Sequence, residues 1–239
     1  SWRPLTTGLR AAGFELCAPD LPGHGRRAEV RADLWAAARL ALADGGQSAY
    51  LGYSMGGRVA LHAALLRPDL VERLVLVGAT AGIEDEAERD ERRRADEALA
   101  ASIERDEADG RGLDDFIDRW LAGPLFATLP PEAAGRDDRV ASNTAEGLAS
   151  SLRLAGTGTM EPLWDRLGEL GRLALPVLVV AGALDGKFLD LGERLVEAIG
   201  PSATLAVVPG AGHACHLEQP AAFLAAAVPF LHDRASPSA

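Results

Sequence analysis

The sequence predicts an α/β protein built on a mostly parallel sheet, with a helical piece inserted into it. Three observations carry that expectation. Short apolar runs alternate along the chain with segments of helical periodicity. One such run, Ala49-Tyr50-Leu51, passes through Gly52-Tyr53-Ser54-Met55-Gly56-Gly57 directly into a helix of small residues. Between Glu84 and Met160 no strand pattern occurs at all. The expected organisation is a sheet core in two parts, residues 1–80 and 161–232, with a helical cap at 81–160 and a disordered tail at 233–239.

Taken in order, Trp2, Leu5 and Leu9 recur at helical spacing, and Gly13 ends that segment. Residues 14–18, Phe-Glu-Leu-Cys-Ala, form a strand candidate that runs into the turn cluster Pro19-Asp20-Leu21-Pro22-Gly23-His24-Gly25. His24, held between two glycines, fits a turn-stabilising role better than a catalytic one. Residues 32–43 are alanine-rich and helical, with Leu34, Ala38 and Leu42 on one face, and Asp44-Gly45-Gly46 stops them. After Ser54, the small residues Val59, Ala60, Ala63 and Ala64 give a helix face that lies close on a sheet. Leu74-Val75-Leu76-Val77 is the continuous apolar run of a strand buried on both faces.

The insertion opens with an almost wholly charged stretch, residues 84–97, before Leu99 and Ile103 restore helical spacing. A second helical piece carries Phe116, Ile117, Trp120 and Leu121, followed by Gly123-Pro124-Leu125-Phe126; a third carries Leu148, Leu152 and Leu154. Such a piece is either a lid that excludes water from a site or a solvated helical surface. The α/β pattern resumes with the strand at 175–181, a helix at 189–199, the strand at 203–208 and a last helix at 220–232.

Gly52-Tyr53-Ser54-Met55-Gly56 is a G-x-S-x-G nucleophile elbow, in which the glycines let strand and helix approach closely while the serine stands exposed at the apex. The helix start aims its free N–H groups at the same point, and the Met55 N–H is the oxyanion donor this geometry implies. Asp185 and His213 each follow a later strand. A serine needs a base to lose its proton, and the base needs a carboxylate to fix its tautomer. The chain order Ser54, Asp185, His213 is that of the α/β-hydrolase arrangement.

Composition limits the partners. A net charge of −11 argues against nucleic acid and anionic membrane, since both carry the same sign. The 48% apolar content supports a sizeable core, and Cys17 and Cys215 belong to neither a disulfide framework nor a metal-ligand spacing. With no signal peptide or long apolar span in view, the expectation is a cytoplasmic enzyme without metal or organic cofactor.

Residues 20–25, Gly52-Tyr53-Ser54-Met55-Gly56-Gly57-Arg58-Val59-Ala60, Asp185-Gly186-Lys187-Phe188 and Ala211-Gly212-His213-Ala214-Cys215-His216 together resemble the 2-succinyl-6-hydroxy-2,4-cyclohexadiene-1-carboxylate synthases. The likeness runs from Trp2 to about Phe230. It implies the α/β-hydrolase fold, lyase chemistry in menaquinone biosynthesis, and a small anionic substrate carrying several carboxylates. It further implies that Tyr53, Arg58, Arg92, Trp120, Phe126 and Lys187 contact that substrate, with Ser54, His213 and Asp185 abstracting a ring proton. Arg58 lies one helical turn beyond Ser54, within reach of a carboxylate. Arg92 equally fits a solvated surface, and Trp120 and Phe126 equally fit a cap core. The family's later cap arginine has Arg139 as its nearest counterpart. The competing reading is a serine hydrolase of esters, thioesters or carbon–carbon bonds using the same triad; a non-catalytic fragment is the third.

In the α/β-hydrolase order a strand precedes the Trp2 helix and pairs between residues 14–18 and 49–53. The sequence is therefore expected to lack the fold's N-terminal strands, and with them the second oxyanion donor.

Overall fold

The computed structural model describes residues 2–233. A 3-10 turn, Arg3–Leu5, leads into α1 (Thr6–Ala11), followed by α2 (Leu34–Gly45), β1 (Ser48–Tyr53), α3 (Met55–Leu66) and β2 (Val71–Val77). Before the next strand come α4 (Glu86–Ala108), α5 (Gly112–Leu121), α6 (Arg136–Ser142), α7 (Ala145–Ala155) and α8 (Gly168–Arg172). The chain closes with β3 (Val177–Gly182), α9 (Gly186–Ile199), β4 (Ala203–Val208), α10 (Cys215–Glu218) and α11 (Pro220–His232). Of the expected tail, residues 234–239 lie outside the described residues.

The strands form one parallel sheet in the order β1-β2-β3-β4. Its two faces carry separate apolar clusters. Leu74, Leu76, Val177 and Val179 point to the face covered by α2, α3 and α9, whereas Val75, Val77, Leu178 and Val180 meet Leu5, Leu9 and Phe223 on the other. Burial on both faces is why these strands read as unbroken apolar runs and not as alternating ones.

Residues 14–18 correct the expectation of a strand there. They form no strand and lie outside the ladder, with Leu16 and Cys17 exposed. Strand-like composition makes a strand only where a neighbouring strand accepts its backbone hydrogen bonds. Among the described residues β1 pairs with β2 alone. The helix expected from residue 189 starts earlier, at Gly186, because the Asp185 carboxylate caps it by accepting from the Phe188 N–H.

The inserted helices pack as a small body of their own. Ile103, Leu113, Phe116, Ile117 and Ala145 make its core. The charged surface of α4 is solvated for the most part, yet two aspartates of this helix are buried: Asp96 holds Arg92, and Asp106 holds both Arg111 and Arg119. Arg153 on α7 ties to Glu97 and Glu104 on α4. Among the described residues no helix is long and apolar enough to cross a membrane.

Candidate active site

The turn from β1 into α3 holds Ser54 at φ 50°, ψ −110°, a conformation that costs a non-glycine residue roughly 1–3 kcal/mol and persists only where the surroundings enforce it. The surroundings here are visible. The Ser54 N–H donates to the Val77 carbonyl at 2.8 Å, and a Cβ on Gly52 would lie 2.2 Å from the Gly56 carbonyl oxygen, so only glycine allows the helix to fold back onto the strand. Met55 is the first residue of α3, and its N–H has no acceptor within the helix.

Three loops beyond the carboxyl ends of β1, β3 and β4 bring the serine, carboxylate and histidine together. His213 places Nε2 3.3 Å from the Ser54 hydroxyl and Nδ1 2.9 Å from Asp185 Oδ2. Asp185 divides its oxygens: Oδ1 caps α9 and Oδ2 faces the imidazole, so the cap fixes the carboxylate's direction. The imidazole is buried between Tyr53 and Phe188, whose ring centroids lie 5.3 and 4.3 Å away. Arranged in this way, the serine can give its proton to the imidazole and the resulting imidazolium is stabilised by the aspartate.

Sequence reasoning missed Glu218. Its carboxylate accepts from the Gly212 N–H at 2.7 Å and the Ala214 N–H at 3.0 Å, the two amides that flank His213. The only trace in the sequence is a glutamate five residues after the histidine, a spacing with no general meaning outside a short helical turn such as α10.

Arg58 is buried, and its Nη1 donates to the Ala155 carbonyl at 2.6 Å. Burial, reinforced by the neighbouring Arg92 cation, pulls its pKa down to about 10. Arg92 is exposed and its Nε is held by Asp96 at 2.8 Å. Half-buried Arg139 stacks on Trp120 at 5.2 Å, and burial holds its pKa below the ordinary range. Neither Arg58 nor Arg139 has a carboxylate partner among the described residues. Trp120 meets Phe126 edge-on at 4.5 Å, and both join a cluster with Tyr53, Ala214 and Leu217. They thus stand at the serine's side of the cap.

Lys187 precedes Phe188, whose ring packs against His213. It is exposed on the first turn of α9, with no hydrogen bond or ion pair among the described residues. His24 has its Nδ1 3.1 Å from the Pro22 carbonyl, a turn contact, while Asp20 accepts from the Arg26 N–H. Among the described residues no group of three or more His, Cys, Asp or Glu side chains is gathered as a metal set.

An elbow serine, an aspartate and a histidine beyond three strand ends of a parallel sheet, with an inserted helical body, define a class. The chain matches the alpha/beta hydrolase family over residues 1–227 and belongs to it. Its relatives narrow the assignment. It is 32% identical over 234 residues to the 2-succinyl-6-hydroxy-2,4-cyclohexadiene-1-carboxylate synthase of Serratia proteamaculans (strain 568), covering 94% of this chain and 85% of that protein. Identity to the putative synthase of Bacillus subtilis (strain 168) is 38% over 177 residues; that match takes in 72% of this chain and spans 61% of the Bacillus protein's length. The structure of MenH from S. aureus superposes with a TM-score of 0.77 at 31% identity, over 89% of this chain and 81% of that one. Within the alpha/beta hydrolases the chain belongs with these synthases.

Proposed function

We propose that the protein eliminates pyruvate from 2-succinyl-5-enolpyruvyl-6-hydroxy-3-cyclohexene-1-carboxylate, in menaquinone biosynthesis, as a cytoplasmic enzyme acting on a small polyanion. The observation that carries the reading is the pair of guanidiniums, Arg58 one turn beyond the elbow serine and Arg139 on the cap against Trp120, that have no carboxylate partner among the described residues. A desolvated cation is costly unless an anion completes it, so Arg58 and Arg139 favour a substrate with several carboxylates over a neutral ester.

The step follows from the residues. His213 Nε2 takes the Ser54 proton, assisted by Asp185, and the serine oxygen removes a proton from the ring. The electron pair of that C–H bond becomes a ring double bond as the C–O bond to the enolpyruvyl group breaks. The departing enolate takes up the proton held on His213 and leaves as pyruvate, which returns the imidazole to its neutral form. The Met55 N–H lies on the elbow, facing the charge that develops there. Arg58, Arg92 and Arg139 orient the carboxylates, while Tyr53, Trp120 and Phe126 wall the pocket.

Incubation with the intermediate, coupled to lactate dehydrogenase and NADH, reads pyruvate directly. Pyruvate release alongside negligible hydrolysis of a neutral short-chain ester is the expected result. Ester hydrolysis without pyruvate would replace the lyase reading with the serine-hydrolase one.

A further inference from the structure

Asp96 is a carboxylate of the charge run that the structure buries, only 4% exposed, in a chain whose other acids face water for the most part. Its surroundings are built around it. Oδ1 accepts from Arg92 Nε at 2.8 Å, and Oδ2 accepts from the Gly158 N–H at 3.4 Å. A Cβ on Gly156 would lie 2.5 Å from Oδ2, and one on Gly158 would lie 2.3 Å from the Arg93 nitrogen. Both glycines are therefore what lets the loop after α7 close onto this turn of α4. The same loop begins at Ala155, whose carbonyl accepts from Arg58 Nη1.

These contacts form one connected path. Arg58 on α3, one turn beyond Ser54, is tied through the Ala155–Gly158 segment to Asp96, and Asp96 is tied to Arg92 on α4. The Arg92 cation disfavours the charge on Arg58 and the Asp96 carboxylate favours it, so the three groups share one electrostatic neighbourhood. A carboxylate held at Arg92 Nε leaves N–H donors on the Nη–Nη edge of the planar guanidinium for a second anion.

We propose that Asp96 is a positioning residue: with the Ala155–Gly158 loop it sets the spacing and direction of Arg58 and Arg92 so that both guanidiniums engage one polycarboxylate substrate. The inference rests on the reading above that these arginines bind the substrate. Asp96 does not touch the substrate. It acts through the arginines, and its effect belongs to binding and not to proton transfer.

The sign of the effect separates positioning from simple charge balance. If Asp96 only competed with the substrate for the cations, removing it would tighten anion binding. If it aims them, removal loosens binding although the site becomes more positive. The test compares Asp96→Asn and Asp96→Ala with wild type by steady-state pyruvate release and by calorimetric titration with succinate, which needs no turnover. Hydrogen bonds to charged groups of this kind correspond to about a ten- to hundredfold change in an equilibrium constant. The expected result is a KM raised about ten- to hundredfold in Asp96→Ala and less in Asp96→Asn, with kcat within about threefold of wild type, since a loss of uniform binding spares kcat. Succinate affinity should fall in the same order.

Asp96→Asn keeps the volume and the acceptor for Arg92 Nε, so it remains informative where the alanine variant unfolds. Unchanged or lowered KM and succinate Kd would overturn the proposal. So would a fall in kcat alone with KM unmoved, which marks general loosening. Should wild type release no pyruvate yet bind succinate less well in both variants, the positioning stands and the lyase reading fails.

Discussion

Replacing Glu218 by alanine tests whether the geometry of His213 is held by its own loop or by the carboxylate beneath it. Glu218 accepts two backbone N–H bonds, from Gly212 and Ala214. Each bond to a charged acceptor contributes about 1.5–3 kcal/mol, and water at this half-buried carboxylate replaces part of it, which leaves a net loss of roughly 2–3 kcal/mol. For a chain of this length about 2–4 °C of Tm follows each kcal/mol, so thermal unfolding should come roughly 4–12 °C earlier. The kinetic consequence is larger. The two amides flank the imidazole that spans 3.3 Å to Ser54 and 2.9 Å to Asp185, and a misplacement of about 1 Å at a reacting group costs on the order of a hundredfold. Pyruvate release should show kcat lowered about ten- to hundredfold with KM nearly unchanged, because Arg58 and Arg139 are untouched. Glu218→Gln, which keeps one acceptor oxygen, should fall between. An alanine variant with wild-type Tm and kcat would refute the bracing argument.

Ser54→Ala should keep the wild-type thermal transition and lose roughly 10²–10⁴-fold in kcat, the range of a general acid–base contribution; retained turnover would remove the serine from the chemistry. Gly52→Ala should fail to accumulate as folded protein or lose about 1–3 kcal/mol or more, because its Cβ meets backbone and not a flexible side chain; wild-type stability in urea would contradict the elbow geometry. Stability should also fall between pH 7.5 and pH 5. Burial lowers the pKa of His216 to about 3 and lowers those of His62 and His24 as well, so these rings stay neutral in the folded chain while the unfolded chain takes up protons near pH 6.5. Their contribution is complete above about pH 6.5 and declines as pH falls, by at most about 1.4 kcal/mol per pH unit for each histidine. A urea midpoint that is flat from pH 7.5 to 5 would show that the three rings are not buried as neutral groups.

The α/β fold was legible because both faces of its sheet are covered, so β2 and β3 announce themselves as apolar runs and the G-x-S-x-G turn marks one strand-to-helix junction. Residues 14–18 show where that logic stops: the sequence has strand composition there, but pairing is decided by a neighbour and not by the segment itself. Within the site, Ser54 and Arg58 were readable because a helical turn fixes their relation locally. Glu218 was not, since its two hydrogen bonds depend on how the loop before α10 folds back. Asp96 was hidden for a different reason. In residues 84–97 it looks like its neighbours, and only the return of the chain 62 residues later buries it.

The arginines make the same point in physical terms. The chain carries 35 acidic against 24 basic residues, so a guanidinium without a carboxylate is not the result of scarcity. Arg136 and Arg153 each gather two or more acids at the surface, where exposed pairs are worth about 0–1 kcal/mol and little depends on them. Arg58 and Arg139 are drawn out of water without such a partner, beside Ala155 and Trp120, in a protein that has carboxylates to spare. Burial of an unmatched charge is opposed by several kcal/mol and persists only where something else is gained. On the proposed function, the gain is an anionic ligand that supplies the missing charge itself.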